Sequence, residues 1–158
     1  MTVTADKWIR PASAKGSHIL RQGAEGASQS FVRGAPLVRS GGYLVVATSG
    51  AALDMVGFTA EAAHNDSSAG THNVLYWPIE ENPVFQGQLA GASAHTLAIT
   101  DIGTAYGLAA SSGKWYVDVD ESSANQKSAT VVDIVDPLGT SDGIVKFVLN
   151  KLGNPYVD

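Results

Sequence analysis

The strongest constraint on the fold is the rhythm of the apolar residues after Phe31. They come in short runs cut by glycine, proline or polar turns, and no helical period persists for a dozen residues. The runs are "SFVRGAPLV", "YLVVA", "MVGFT", "VLYWPIE", "VFQGQL", "KWYVDVD", "ATVVDIVD" and "GIVKFVLN", each of strand length and each bounded by turn residues. Gly41 and Gly42 form a tight turn before "YLVVA", and Gly57 inside "MVGFT" marks a bulge or a close backbone approach. Pro78 and Pro83 confine their strands to edges or ends, because proline donates no ladder hydrogen bond. "TLAITDIGTAYGL" holds a strand and a single helical turn before Gly103, and "HNDSSAGTHN" is a polar loop. The pattern predicts a mainly β fold: a small single-domain β-barrel or sandwich-like body over residues 31–158, with at most short helices. No internal repeat is visible.

Residues 1–30 read differently. They show neither period, and "KGSHILRQGAEGASQS" is rich in Gly, Ser and Ala, which predicts an extended N-terminal arm with two sticky points, Trp8-Ile9 and Ile19-Leu20. "WIRP" suits insertion into a partner's groove; the competing reading packs Trp8 back on its own body. The net charge of −5 hides a split. Residues 1–40 carry Lys7, Arg10, Lys15, Arg21, Arg33 and Arg39 against Asp6 and Glu25, a net of +4, and the rest carries four Lys against thirteen acids, a net of −9. The basic charges form no run and are barely interleaved with aromatics, which argues against nucleic acid and for protein docking. The expected contact residues are Lys7, Trp8, Ile9, Arg10, Ile19, Leu20 and Arg21.

No coherent catalytic, metal or cofactor constellation emerges. The chain has no cysteine, which excludes disulfides, thiolate metal sites and a cysteine nucleophile. Asp118-x-Asp120 opens like a calcium loop, but the sixth and twelfth positions, which need Gly and Glu, are Ser123 and Ala129. These acids fit better on strand faces, Asp118 and Asp120 sharing a side with Tyr116. "GTSDG" satisfies G-x-S-x-G, yet the following "IVKFVLN" alternates as a strand, so Ser141 sits in a hairpin turn; the one hydrolase that can be written joins Ser141, His95 and Asp133. "GLAASSGKW" has the wrong spacing for a phosphate loop, with Trp115 where Ser or Thr should follow Lys114. His18, His64, His72 and His95 lack zinc-site spacing. The N-terminus lacks a signal-peptide core, and no apolar run reaches membrane-span length, so the expectation is a soluble protein with no membrane partner.

From Phe31 onward the order of "GAPLVRSGGYLVVAT", "MVGFTAEA", "NPVFQGQL", "ITDIGTAYGL", "WYVDVD", "VVDIVDP" and "IVKFVLN" resembles the capsid decoration (cement, or head-stabilising) proteins of tailed bacteriophages. The resemblance covers roughly residues 31–149 and is carried above all by "DIGTAYGL" followed by "WYVD" and "VVDIVDP". It implies a non-enzymatic virion protein on the capsid exterior, assembled in the host cytoplasm, that binds the major capsid protein, often as a homotrimer, and braces neighbouring capsomers. It carries no catalytic, cofactor or metal residues over. Two other readings stand beside it: a tail or baseplate β-domain, and a carbohydrate-binding β-module whose platform would use Tyr76, Trp77, Trp115 and Tyr116. Under the decoration reading, deleting residues 1–22 abolishes capsid binding and leaves the body folded.

Overall fold

The structure, a computed structural model, describes residues 2–4, 7–12, 18–48 and 55–150 of the 158. Residues 13–17 of the expected arm and 151–158 of the expected body lie outside them. The described residues form eleven strands: β1 (Arg10–Pro11), β2 (Arg21–Ala24), β3 (Pro36–Ser40), β4 (Tyr43–Val46), β5 (Met55–Thr59), β6 (Asn73–Pro78), β7 (Phe85–Ala90), β8 (Ala105–Ser111), β9 (Lys114–Asp118), β10 (Ala129–Ile134) and β11 (Ile144–Leu149). Short 3-10 turns lie at Ile99–Asp101 and Ala124–Gln126. The protein is mainly β and folds as a single domain around a small closed barrel.

Two sheets share one connectivity. The first is ordered β2-β6-β5-β3-β4, and the second β7-β11-β10-β8-β9 with β1 added against β7. Numbered within its own half, each runs 1-5-4-2-3 and returns to its first strand through a parallel contact. In the second half that closure is the β7–β9 ladder, with Leu89 opposite Val117 and Ala90 opposite Asp118. In the first half it is a single bridge from Glu25 to Leu44. Strands two and three of each half form a two-residue hairpin with left-handed backbone, at Gly41-Gly42 and at Ser112-Gly113, the twist that a tight hairpin needs. The fourth strand of each is bulged, at Val56 against β3 and at Val132 against β11. The sequence predicted no internal repeat; the halves repeat a topology and not a residue pattern.

One core spans both sheets. Phe58 of β5 packs on Phe85 of β7 with ring centroids 4.7 Å apart, and Phe147 of β11 lies 6.2 Å from Phe58. Around them lie Leu37, Leu44, Val74, Leu89, Val117, Val131 and Val145, all fully buried. Burial of this kind is the main favourable term for a chain of this size.

The expected arm needs correction where it is described. Ile9 is fully buried in the main core, β1 pairs with β7, and β2 pairs with β6, so both ends of the 1–30 segment are woven into the sheets. Glycine explains the path. Gly34 has φ +85°, and a Cβ there would sit 2.8 Å from the Ile9 carbonyl oxygen; a Cβ on Gly87 would sit 2.9 Å from the Ile9 Cγ1. Two glycines, one from each half, make the slot that Ile9 fills. Val3 is buried with Tyr116 and Ala90, and Trp8 packs against that satellite cluster. Deletion of residues 1–22 therefore removes core and edge strand together, and no longer separates binding from folding.

Candidate interaction surfaces

The seven expected contact residues divide into two sets. Lys7 donates from Nζ to the Asp142 carbonyl at 2.8 Å, Trp8 is half-buried, and Ile9 is enclosed. With its amide oriented to satisfy both groups, the Gln86 oxygen accepts from Arg10 Nε and Nη2, each at 3.0 Å across the β1–β7 pair. Lys7, Trp8 and Ile9 are used by the fold, and Arg10 is positioned by Gln86 with its charge uncompensated. Ile19 and Leu20 remain about half exposed, at 50% and 47%, and Arg21 beside them pairs with Glu81, its Nε donating to Oε2 at 3.1 Å. Asn82 Nδ2 holds the Ile19 carbonyl at 3.0 Å, beside a groove of about 330 Å³ that includes Ile79, Pro83 and Val148.

A second apolar surface lies at the end of the barrel where β10 turns into β11. Ile99, Ile102, Val132, Val135 and Leu138 are 41% to 64% exposed. Backbone hydrogen bonds bring their segments together: Gly103 donates to Val131, and Gly139 to Leu97, at 2.8 and 2.9 Å. The bulge at Val132 interrupts the alternation of β10, so Val131 is buried while Val132 and Asp133 are both exposed. Five exposed branched aliphatics on segments that these bonds draw together make this the richest apolar region of the described surface. Sequence reading missed it because Ile99, Ile102 and Leu138 sit in turns. Bulky aliphatics inside "AITDIGT" and "DPLGT", where turn chemistry asks for small or polar residues, were the signal.

Beneath this surface a polar staple holds the "DIGTAYG" segment. Asp101, 3% exposed, accepts from Tyr106 Oη at 2.7 Å and from the Ala98 N–H at 2.8 Å, and His95 Nε2 lies 3.1 Å from both its oxygens. Burial pushes the Asp101 carboxyl up, but the bonds from Ala98, Tyr106 and His95 outweigh it and hold it below the ordinary range. The same contact, added to burial, pushes the Tyr106 hydroxyl up to about 12. The three residues of the hydrolase reading each have other contacts in the fold. His95 is engaged by Asp101, Asp133 accepts from Lys146 Nζ at 2.9 Å, and Ser141 bridges to Thr96.

The first half has a matching clasp. Glu25, 3% exposed at the closing bridge, accepts from the His64 N–H at 2.9 Å and lies 2.6 Å from His64 Nδ1. The His64 and His72 rings stack at 4.5 Å, and His72 is 3.6 Å from Asp66. The hydrogen bond to Glu25 raises the His64 imidazole above its ordinary value, against the opposing effect of desolvation. His64 and His72 thus pin the polar loop to β2. Among the described residues no group of three or more His, Asp or Glu is arranged to hold a metal, and no helix is long and apolar enough to cross a membrane.

Tyr76, Trp77, Trp115 and Tyr116 are all under 9% exposed, so they form no open aromatic platform for a sugar. Asp120 lies beyond the end of β9 and does not share a strand face with Asp118; its Oδ2 instead accepts from the Ala92 N–H. No protein-family model matches the sequence, and no curated protein or solved structure matches it significantly.

Proposed function

We propose that this chain is a non-enzymatic structural protein of a tailed-bacteriophage virion, which binds the outer surface of the capsid and stabilises it by bridging neighbouring capsomers. The observation that carries the reading is the exposed aliphatic surface of Ile99, Ile102, Val132, Val135 and Leu138. It is anchored by the same "DIGTAYGL" and "VVDIVDP" stretches that carry the resemblance to decoration proteins. A surface of this kind, held by a rigid barrel and a buried polar staple, suits a partner that is itself rigid and repeated. The partner is the major capsid protein. Repetition of one contact over a shell turns modest single affinities into firm attachment.

The test is co-sedimentation with emptied, expanded capsids of the phage that encodes the chain. The protein should pellet in a fixed ratio to capsid subunits, and the double variant Ile99→Asp, Leu138→Asp should stay in the supernatant while keeping its melting temperature. A wild-type protein that never pellets, or a double variant that pellets equally, contradicts the proposal.

A further inference from the structure

The other unbalanced feature of the surface is charge. Arg10 on β1, Arg33 in the turn before β3, His18, Trp77 and Gln86 line a groove of about 250 Å³. The Arg33 guanidinium lies 5.1 Å over the Trp77 ring, which fixes its plane without neutralising it. Arg21 and Lys146 each have a carboxylate partner, yet among the described residues no carboxylate lies within ion-pair distance of Arg10 or Arg33.

An acidic corner is equally unmatched. Asp118, Asp120 and Glu121 lie within four residues at the end of β9, and among the described residues none has a cationic partner. They accept instead from backbone: Asp118 from the Asp120 N–H, Asp120 from Ala92, and Glu121 from Ser123. Burial, with the charges of Asp120 and Glu121 behind it, pushes the Asp118 carboxyl up. The corner is rigidly seated. A Cβ on Gly91 would meet Asp120 Oδ2 at 2.6 Å, and one on Gly107 would meet the Glu121 Cβ at 2.5 Å, so two glycines give these side chains their places.

Within one chain the two features cannot meet. Arg10 pairs with Gln86 and Asp118 with Ala90 along the same strand, β7, which separates them by roughly 13 Å. We propose that the Arg10–Arg33–Trp77 groove of one copy takes the Asp118–Asp120–Glu121 corner of a second copy, head to tail. Guanidinium and carboxylate make directed, charge-assisted hydrogen bonds, and both sides are held in place before contact, which lowers the entropy lost on docking. The contact joins different surfaces of the two copies, so it repeats around a ring where the rotation closes. It is independent of the capsid proposal, since it needs no shell.

Sedimentation velocity on the full chain tests it. The wild type should form a discrete oligomer at ~100 µM protein and ~50 mM salt, and ~500 mM salt should weaken association at least tenfold. Arg10→Glu with Arg33→Glu should be monomeric and folded by circular dichroism, and so should Asp120→Arg with Glu121→Arg. An equimolar mixture of the two variants should associate again, because each then offers the other a complementary pair. A monomeric wild type, association unaffected by either reversal, or a mixture that stays monomeric overturns the proposal. So does an arginine-dependent shift on adding a single-stranded oligonucleotide to a monomeric wild type, which would assign the groove to phosphate.

Discussion

The carbonyl oxygen of Ile9 passes so close to Gly34 that a methyl group there would lie 2.8 Å from it. Ile9→Ala should therefore cost about 2–5 kcal/mol, the range for a large-to-small change in a full core. Gly34→Ala, which adds both a clash and a left-handed residue with a Cβ, should cost more than about 1 kcal/mol. Urea denaturation midpoints check both. Unchanged midpoints would mean that the N-terminal segment only leans on the barrel.

The staple under the aliphatic surface predicts an acid signature. Because Asp101 is held below its ordinary range, its stabilising contribution is present above ~4 and is lost as pH falls through the lowered value. Asp101→Asn should destabilise the protein at neutral pH and flatten its loss of stability in acid. Tyr106→Phe, which removes a donor from a buried carboxylate, should cost about 1.5–3 kcal/mol at pH 7. Identical acid slopes for wild type and Asp101→Asn would contradict the assignment.

At the first-half clasp the sign is opposite. The raised imidazole of His64 contributes stability that is fully present below ~6.5 and is lost as pH rises through its folded value. Proton NMR titration should find His64 above the ordinary histidine range and return it there in Glu25→Gln. No change in Glu25→Gln would remove Glu25 as the cause.

Asp118 carries the reverse burden. Burial and its acidic neighbours raise its carboxyl, so stability falls as pH rises through that value. Asp118→Asn keeps the Oδ1 acceptor for the Asp120 N–H and removes the charge, and should stabilise the isolated chain by about 0.5 kcal/mol at neutral pH. Thermal melts at low protein concentration decide it; destabilisation would show that the negative charge is itself being used by the fold.

Strand positions from Phe31 onward were legible because their signal is local: alternating or continuous apolar runs ending at Gly, Pro or polar turns. The helical turn before Gly103 was legible for the same reason. What the sequence hid is non-local. Ile9 looked like part of an arm because its partners, Gly34 and Gly87, lie far along the chain and contribute by having no side chain. The shared topology of the two halves leaves no residue pattern, since a bulge at Val56 and one at Val132 bend equivalent strands with different neighbours. The aliphatic surface was missed because its members come from segments apart in sequence, and Ile99, Ile102 and Leu138 sit where turn chemistry asks for small or polar residues. Of the expected contact residues, Ile19, Leu20 and Arg21 face solvent, while Ile9 is consumed by the core.

On the proposed function, the β10–β11 end of this barrel lies against the outside of a phage capsid. An electron cryomicroscopy reconstruction of the native particle tests it most directly. Density for the chain should lie on the outer capsid surface, with Ile99, Val132 and Leu138 at the contact with the capsid protein. Density for this chain in the tail or baseplate, or none on the particle, would contradict it.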